Sequence, residues 1–308
     1  MTVTQTIPVL DLQEFRSGDR QTFVTQVGQA LEAIGFFALI NHGVEADLIQ
    51  QAYAVATEFF ALPETIKLRY QLPELNGQRG FTQFGREHAK DHPVPDLKEF
   101  WHLGRDGSGS TIANVIPAEV PAFHPVLLQL FEQLERCAIE LLRACALYLG
   151  EPEDLLARMT VNSDTILRII HYPPIPAAAP PVSLRAAAHE DINLITLLCE
   201  ATADGLELRQ HDGTWLPIRA LPGQIIVDSG DMLQQITNGR LQSTTHRVIN
   251  PTNDRDRRFS MPFFVHPRPE VDLTPLPSCI AKVGMQKFPS ITAGEYLQQR
   301  LREIGLAK

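Results

Sequence analysis

His189-Glu190-Asp191-Ile192-Asn193-Leu194-Ile195-Thr196-Leu197-Leu198-Cys199 is the stretch on which the reading of this chain turns. It joins an imidazole and a carboxylate, two positions apart, to the β-prone apolar run Ile192–Cys199. In extended backbone, residues i and i+2 point to the same side, so one metal ion could take both His189 and Asp191. Further β-prone runs surround this one, at Thr165–His171, Leu206–Arg209, Gln224–Asp228, Thr244–Ile249 and Arg257–Val265. Turn signals separate them: Asp204-Gly205, Asp212-Gly213, Pro222-Gly223, Asn238-Gly239 and Asn253-Asp254. Many short strands without a fixed repeat predict an antiparallel sandwich or jelly roll rather than a propeller or solenoid. Pro173–Pro181, with five prolines, reads as an extended connection inside this β region.

The N-terminal half has a different periodicity. Phe23, Val27, Ala30, Leu31 and Ile34 share one helical face and stop at Gly35, and the strand-length run Phe36–Ile40 follows. Leu48, Ala52, Val55 and Phe59 predict a second helix, ended by Leu62-Pro63. Phe131, Leu134, Ala138, Leu141, Cys145 and Leu149 predict a third, closing at Gly150. Thr292 and Glu295 have capping-box spacing ahead of a last helix through Tyr296, Leu297, Leu301 and Ile304. Between the second and third helices, the irregular segment 75–110 is either a surface excursion or the lid of a pocket; it ends in the flexible Gly107-Ser108-Gly109-Ser110.

His246 is the third candidate ligand, in a β-prone run that comes after the turn Thr237-Asn238-Gly239. Two neutral imidazoles and one carboxylate on one face of an octahedral ion leave three adjacent positions open, as in non-haem Fe(II) oxygenases. Zinc would accept the same ligands, but zinc hydrolysis gives no reason for an arginine–hydroxyl pair further along the chain. That pair is Arg258 and Ser260, the only Arg-x-Ser in the chain, on one strand face and one expected hairpin beyond His246. A buried guanidinium fork matches a carboxylate, and the hydroxyl adds a third hydrogen bond. Arg255 and Arg257 compete for this role; Ser260 favours Arg258.

Composition narrows the partners. The chain has 308 residues, 27 Lys+Arg against 36 Asp+Glu and a net charge of −9. That balance supplies no attraction for nucleic acid or an anionic membrane. Cys137, Cys145, Cys199 and Cys279 form no short-range framework, and no apolar stretch approaches the roughly 20 residues that span a bilayer. The opening MTVTQTIPVLDLQEF carries Asp11 and Glu14 where a signal peptide would be basic and then apolar. A cytoplasmic protein acting on a small molecule, as monomer or homodimer, is expected.

These motifs, in this order, resemble the isopenicillin-N-synthase-like branch of the Fe(II)/2-oxoglutarate-dependent oxygenases, and in particular its bacterial members. Ile7-Pro8-Val9-Leu10-Asp11-Leu12, Asn41-His42-Gly43-Val44, Phe59-Phe60-Ala61-Leu62-Pro63 and Arg79-Gly80-Phe81 resemble the family's N-terminal region. Tyr172-Pro173-Pro174, His189-Glu190-Asp191, Gly230-Asp231-Met232, Thr237-Asn238-Gly239, His246-Arg247-Val248 and Arg258-Phe259-Ser260 resemble its catalytic half. The resemblance implies an α+β, mainly β fold: a double-stranded β-helix (jelly roll, cupin-like) with supporting N-terminal and C-terminal helices. The implied spans are 1–120 for the N-terminal non-haem dioxygenase region, 121–160 for the long helix, 161–268 for the β-helix core and 269–308 for a C-terminal extension, all one catalytic unit.

It also implies that His189, Asp191 and His246 hold Fe(II), and that Arg258, Ser260 and Tyr172 bind 2-oxoglutarate. O2 would then be used to convert 2-oxoglutarate to succinate and CO2 while a small organic substrate is hydroxylated, desaturated or cyclised. Arg79, Phe81, Glu99, Trp101 and Phe264 are the implied substrate-pocket candidates. The alternatives are a 2-oxoglutarate-independent oxidase, an ethylene-forming enzyme, or a non-catalytic metal-binding or sensing β-helix. Three departures stand out: Ile170 occupies a position where many relatives carry Asn, the stretch from His246 to Arg258 is a little longer than is common in the family, and Glu190, at i+1 between two ligands, is expected to face away from the metal. The other histidines, His102 and His266 among them, have no ligand spacing.

Overall fold

Ile166-Leu167-Arg168-Ile169-Ile170-His171-Tyr172 alternates between two interiors, and this alternation organises the molecule. Leu167 and Ile169 join the main core with the helices, whereas Ile170 and Tyr172 pack on the other side with Phe100, Ala186 and Val248. The structure, a computed structural model, describes residues 7–307 apart from 91, 93, 108–111 and 220. Ser108–Ser110 of the Gly/Ser stretch therefore lie outside the described residues.

In chain order the described strands are β1 (Val9–Asp11), β2 (Phe36–Ile40), β3 (Gly80–Thr82), β4 (Glu99–Leu103), β5 (Ile166–Tyr172), β6 (Ala186–His189), β7 (Ile195–Cys199), β8 (Leu206–Arg209), β9 (Trp215–Pro217), β10 (Ile225–Ser229), β11 (His246–Val248), β12 (Arg258–Ser260) and β13 (Pro262–Val265). The larger sheet runs β1-β2-β10-β7-β13-β5-β4-β3, with β12 also on β5; the smaller runs β6-β11-β8-β9. All pairings are antiparallel except β1 with β2. The two sheets form the jelly-roll core; the three N-terminal predicted helices cover the outer face of the larger one, and the last helix lies on the cavity side.

The helical stripes bury the residues their spacing predicts. Helix Arg20–Ala33 sinks Phe23, Val27, Ala30 and Leu31, with the Asp19 carboxylate capping the Thr22 amide. Its stop at Gly35 is a conformational requirement: φ is +70°, and a Cβ there would lie 2.5 Å from the Gln242 carbonyl oxygen. The third helix begins eight residues before its first predicted apolar position and runs Phe123–Leu149. The capping box of Thr292 and Glu295 is formed ahead of helix Ala293–Glu303.

The strand readings need three corrections. The run Arg257–Val265 is two strands: β12 pairs with the end of β5 (Arg258 opposite Tyr172, Ser260 opposite Ile170), while β13 lies between β5 and β7. No hairpin joins His246 to Arg258, because β11 pairs with β6 and β8 in the smaller sheet and β12 belongs to the larger. Strand β6, Ala186–His189, has little intrinsic β preference and forms through its pairing with β11.

Phe59 is fully buried, with ring centroids 4.9 Å from Trp101 and 5.0 Å from Phe123. Phe59→Ala should cost about 3–5 kcal/mol, read as a lowered denaturation midpoint without loss of secondary structure.

Candidate active site

β6 ends on His189 and β11 begins on His246, and the two residues are paired across the strands. Their Nδ1 atoms donate to the carbonyls of Ala187 (2.7 Å) and Thr244 (3.1 Å). A carbonyl only accepts, so Nδ1 carries a proton, and in the neutral ring this leaves the Nε2 lone pair free for a metal. The Nε2 atoms lie 3.8 Å (His189) and 3.6 Å (His246) from Asp191 Oδ1. Burial, reinforced by the His189 ring, pushes the His246 imidazole below its usual range and keeps it neutral. The second Asp191 oxygen accepts from the Thr196 hydroxyl, and burial beside Asp191 pushes the Asp228 carboxyl well above the usual range. Among the described residues this is the one group of three or more His, Cys, Asp or Glu whose ligand atoms, all within 4.8 Å of one another, could share an ion.

An inner cavity shared by the two sheets is lined by this trio together with Tyr172, Arg258 and Ser260. The Arg258 guanidinium carbon lies 4.9 Å from the Tyr172 ring centroid, and its Nε donates to the Ala203 carbonyl at 3.0 Å. Arg258 Nη1 is buried with no partner among the described residues. An orphaned, buried cationic nitrogen is costly unless a ligand anion meets it. Ile170 lines the same cavity as an apolar wall. The expectation for Glu190 is met only in part: its carboxylate takes the Thr245 hydroxyl, but the residue also borders the outer cavity.

That outer cavity, of about 230 Å³, meets the inner one at His189 and Asp191, and Lys98, Arg168 and Phe264 also line both. The segment 75–110 forms much of its wall, through Gln78, Glu87, Lys98 and His102, and helix Ala293–Glu303 covers it with Leu297, Arg300 and Leu301. Arg168 grips Glu87 with two bonds of 3.0 Å, and Lys98 lies 2.8 Å from both Glu87 and Asp96. Burial pushes the Glu87 carboxyl upward, but Arg168 and Lys98 outweigh it and hold the group far below the usual carboxylate range. Burial lowers His266 to about 4, so its imidazole is neutral, and its Nδ1 is buried without a partner among the described residues.

Of the five substrate-pocket candidates, Phe264 lines both cavities and the other four line neither. Strand alternation is the reason. Glu99 and Trp101 face the helices: Glu99 binds Lys67 at 2.7 Å and His171 at 2.8 Å, and Trp101 packs on Phe59 and Phe123. Phe81 packs on the same side, against Phe59 and Phe60. Arg79 is buried beneath Gly104 and donates to the Gln78 carbonyl. The positions of opposite parity, Gln78, Lys98 and His102, are the ones that reach the cavity. Arg168, four residues before Tyr172 on the same face of an apolar strand, was the readable signal that sequence reasoning passed over.

A jelly roll with a His-Asp-His cluster at the junction of two cavities, one holding an unpaired guanidinium, defines a non-haem iron oxygenase. Residues 163–267 match the 2OG-Fe(II) oxygenase superfamily, and residues 7–123 match the N-terminal region described as non-haem dioxygenase in morphine synthesis. A solved 2OG-Fe(II) oxygenase family protein from Caulobacter crescentus is 38% identical, covers 97% of this chain and 99% of its own, and superposes with a TM-score of 0.86. A full-length Neurospora crassa protein, solved in complex with alpha-KG and thymine, is 26% identical over 98% of each chain with a TM-score of 0.86. The 2-oxoglutarate-Fe(II) type oxidoreductase of Metarhizium rileyi is 28% identical over 96% of this chain and 90% of that protein. The chain belongs to the 2OG-Fe(II) oxygenase superfamily. It is a non-haem iron, 2-oxoglutarate-dependent dioxygenase that uses Fe(II), 2-oxoglutarate and O2. No described helix is long and apolar enough to cross a membrane.

Two substitutions test this geometry. Thr196→Val removes the hydroxyl that orients Asp191 and should weaken metal binding about tenfold in a chelator competition. Because Glu87 is held below its unfolded value, its contribution to stability is present at neutral pH and lost only as pH falls through the lowered folded value. Arg168→Met raises that folded value. With Lys98 still paired to Glu87, the variant should therefore be destabilised by about 1.5–3 kcal/mol above about pH 5, and the deficit should narrow at lower pH as its Glu87 takes a proton. Urea midpoints at neutral and acid pH measure both.

Proposed function

We propose that His189, Asp191 and His246 hold Fe(II), and that Arg258, Ser260 and Tyr172 receive the distal carboxylate of 2-oxoglutarate in the inner cavity. The observation that carries this reading is the unpaired Arg258 nitrogen in a cavity that also holds three convergent ligand atoms. The donor set fits the group: two neutral imidazoles fixed through Nδ1, one carboxylate, and room for further ligands on the side of the cavities. Bound iron would supply O2 activation coupled to decarboxylation of 2-oxoglutarate to succinate and CO2. The protein's own residues orient. Ala187 and Thr244 carbonyls set the imidazoles, Thr196 sets Asp191, and the apolar walls of the inner cavity exclude water from the cosubstrate.

The outer cavity would take a small organic substrate for hydroxylation, desaturation or cyclisation, with Phe264 against it. Its cations already face carboxylates: Arg168 faces Glu87, Lys98 faces Glu87 and Asp96, and Arg300 faces Asp231 and Glu303. This favours a substrate held by hydrogen bonds and apolar contact, with His266 as a neutral partner. Four buried, free cysteines accord with a cytoplasmic setting, and a monomer or homodimer would suffice, since one chain supplies every residue named.

Anaerobic addition of Fe(II) and 2-oxoglutarate should give a metal-to-ligand charge-transfer band, and air should then yield succinate. His189→Ala should abolish both, and Arg258→Ala should raise the 2-oxoglutarate requirement about 100-fold. A native protein showing neither signal overturns the reading.

A further inference from the structure

Arg185, immediately before β6, is 1% exposed, yet none of the described ion pairs gives it a carboxylate. One terminal nitrogen donates to the Asp256 carbonyl, and Nε is buried without a partner among the described residues. The Asp256 carboxylate is itself exposed and takes the Asn253 amide at 2.7 Å. The Arg185 guanidinium carbon lies 5.8 Å from the Tyr172 ring centroid, and that of Arg258 lies 4.9 Å from the same ring. The residue after Arg185, Ala186, lines the inner cavity with Tyr172 and Arg258.

Two desolvated guanidiniums thus share one aromatic ring, each with an unpaired nitrogen, and the mutual repulsion is written into Arg185: burial, then the charge of Arg258, lowers its pKa. Buried Lys67 and Lys98 bind Glu99 and Glu87, whereas Arg79, which lines neither cavity, also lacks a carboxylate among the described ion pairs; what sets Arg185 apart is a second such guanidinium, that of Arg258, beside the same ring. Like charges left unpaired in a low-dielectric interior oppose folding, and an anion placed between them reverses the sign.

We propose that Arg185 is a second cation of the 2-oxoglutarate site, sharing with Arg258, beside the Tyr172 ring, the charge of the distal carboxylate. It is a positioning residue. The inference rests on the assignment of Arg258 to that carboxylate and goes beyond it in giving the site two positive charges. The two guanidinium carbons lie 5.8 Å and 4.9 Å from the Tyr172 ring centroid, close enough for both charges to act on an anion in the cavity that Tyr172 lines. Removing Arg185 should therefore weaken the dicarboxylate specifically and relieve the ligand-free protein.

The test compares 2-oxoglutarate with 2-oxopentanoate, which has the same chain length and no distal carboxylate. Dissociation constants are read from the charge-transfer band of the anaerobic Fe(II) protein, and melting temperatures from the protein without ligand. Arg185→Met should bind 2-oxoglutarate about tenfold more weakly, bind 2-oxopentanoate as the native protein does, and melt no lower than native. Arg185→Lys, which keeps the charge and loses the fork, should hold 2-oxoglutarate within about threefold. Unchanged 2-oxoglutarate affinity in Arg185→Met, equal weakening of both oxo acids, or a variant that melts early or fails to fold would each overturn the proposal. Arg258→Met is run alongside. If it retains the native preference for the dicarboxylate, the site assignment itself fails; if it loses that preference while Arg185→Met keeps it, only the role of Arg185 falls.

Discussion

The pairing of His189 with His246 across β6 and β11 is the constraint on which the rest of the molecule depends. Two imidazoles must stand with their unprotonated nitrogens converging on a carboxylate, and nothing in their own chemistry holds them there. Backbone carbonyls on the same strands fix the rings, and the chain after β6 turns so that Asp191 meets both. That turn is itself anchored, since the Asp191 carbonyl accepts from the Asp231 amide at 2.7 Å. The larger sheet and its helical cover give this small sheet a rigid partner, which is what a site needs if its ligands are to be set before an ion arrives.

Charge is handled differently in the two cavities. On the outer wall, buried cations and carboxylates neutralise one another, and the Asp96 carboxylate of that network also accepts the Ala187 amide at 2.9 Å. Ala187 in turn holds His189, so the substrate-side wall and the metal-side strand are mechanically one piece. In the inner cavity Arg258 is left without a carboxylate. Such an arrangement lowers the stability of the empty protein and is retained where binding restores the balance. The overall charge of −9 makes this local positive field more necessary, because an anionic cosubstrate approaches against the net field of the chain.

Local periodicity was legible and long-range pairing was not. The stripes of Phe23–Leu31 and Leu48–Phe59, the stop at Gly35 and the capping box at Thr292 all depend on neighbours within a turn or two, and they stand as read. The hairpin expected after His246 depended on which sheet each strand joined, and the two strands joined different sheets. Phe264 lines both cavities, whereas Arg79, Phe81, Glu99 and Trp101 line neither, for a reason of parity: one position along the strand separates Trp101 in the core from His102 in the cavity.

By itself, the sequence determined the kinds of side chain available, their order along the chain and their local periods, and these sufficed for the class of fold and for a candidate ligand set. Only the tertiary structure decided which strand faces look inward, that β6 exists, and that Arg168, Lys98 and Glu87 form one buried network beside the metal ligands. The physical reason is range. Helical stripes and caps are set by neighbours a few residues apart, whereas the inward face of a strand and the pairing of a buried charge are set by residues brought together from 80 or more positions away, as Arg168 and Glu87 are.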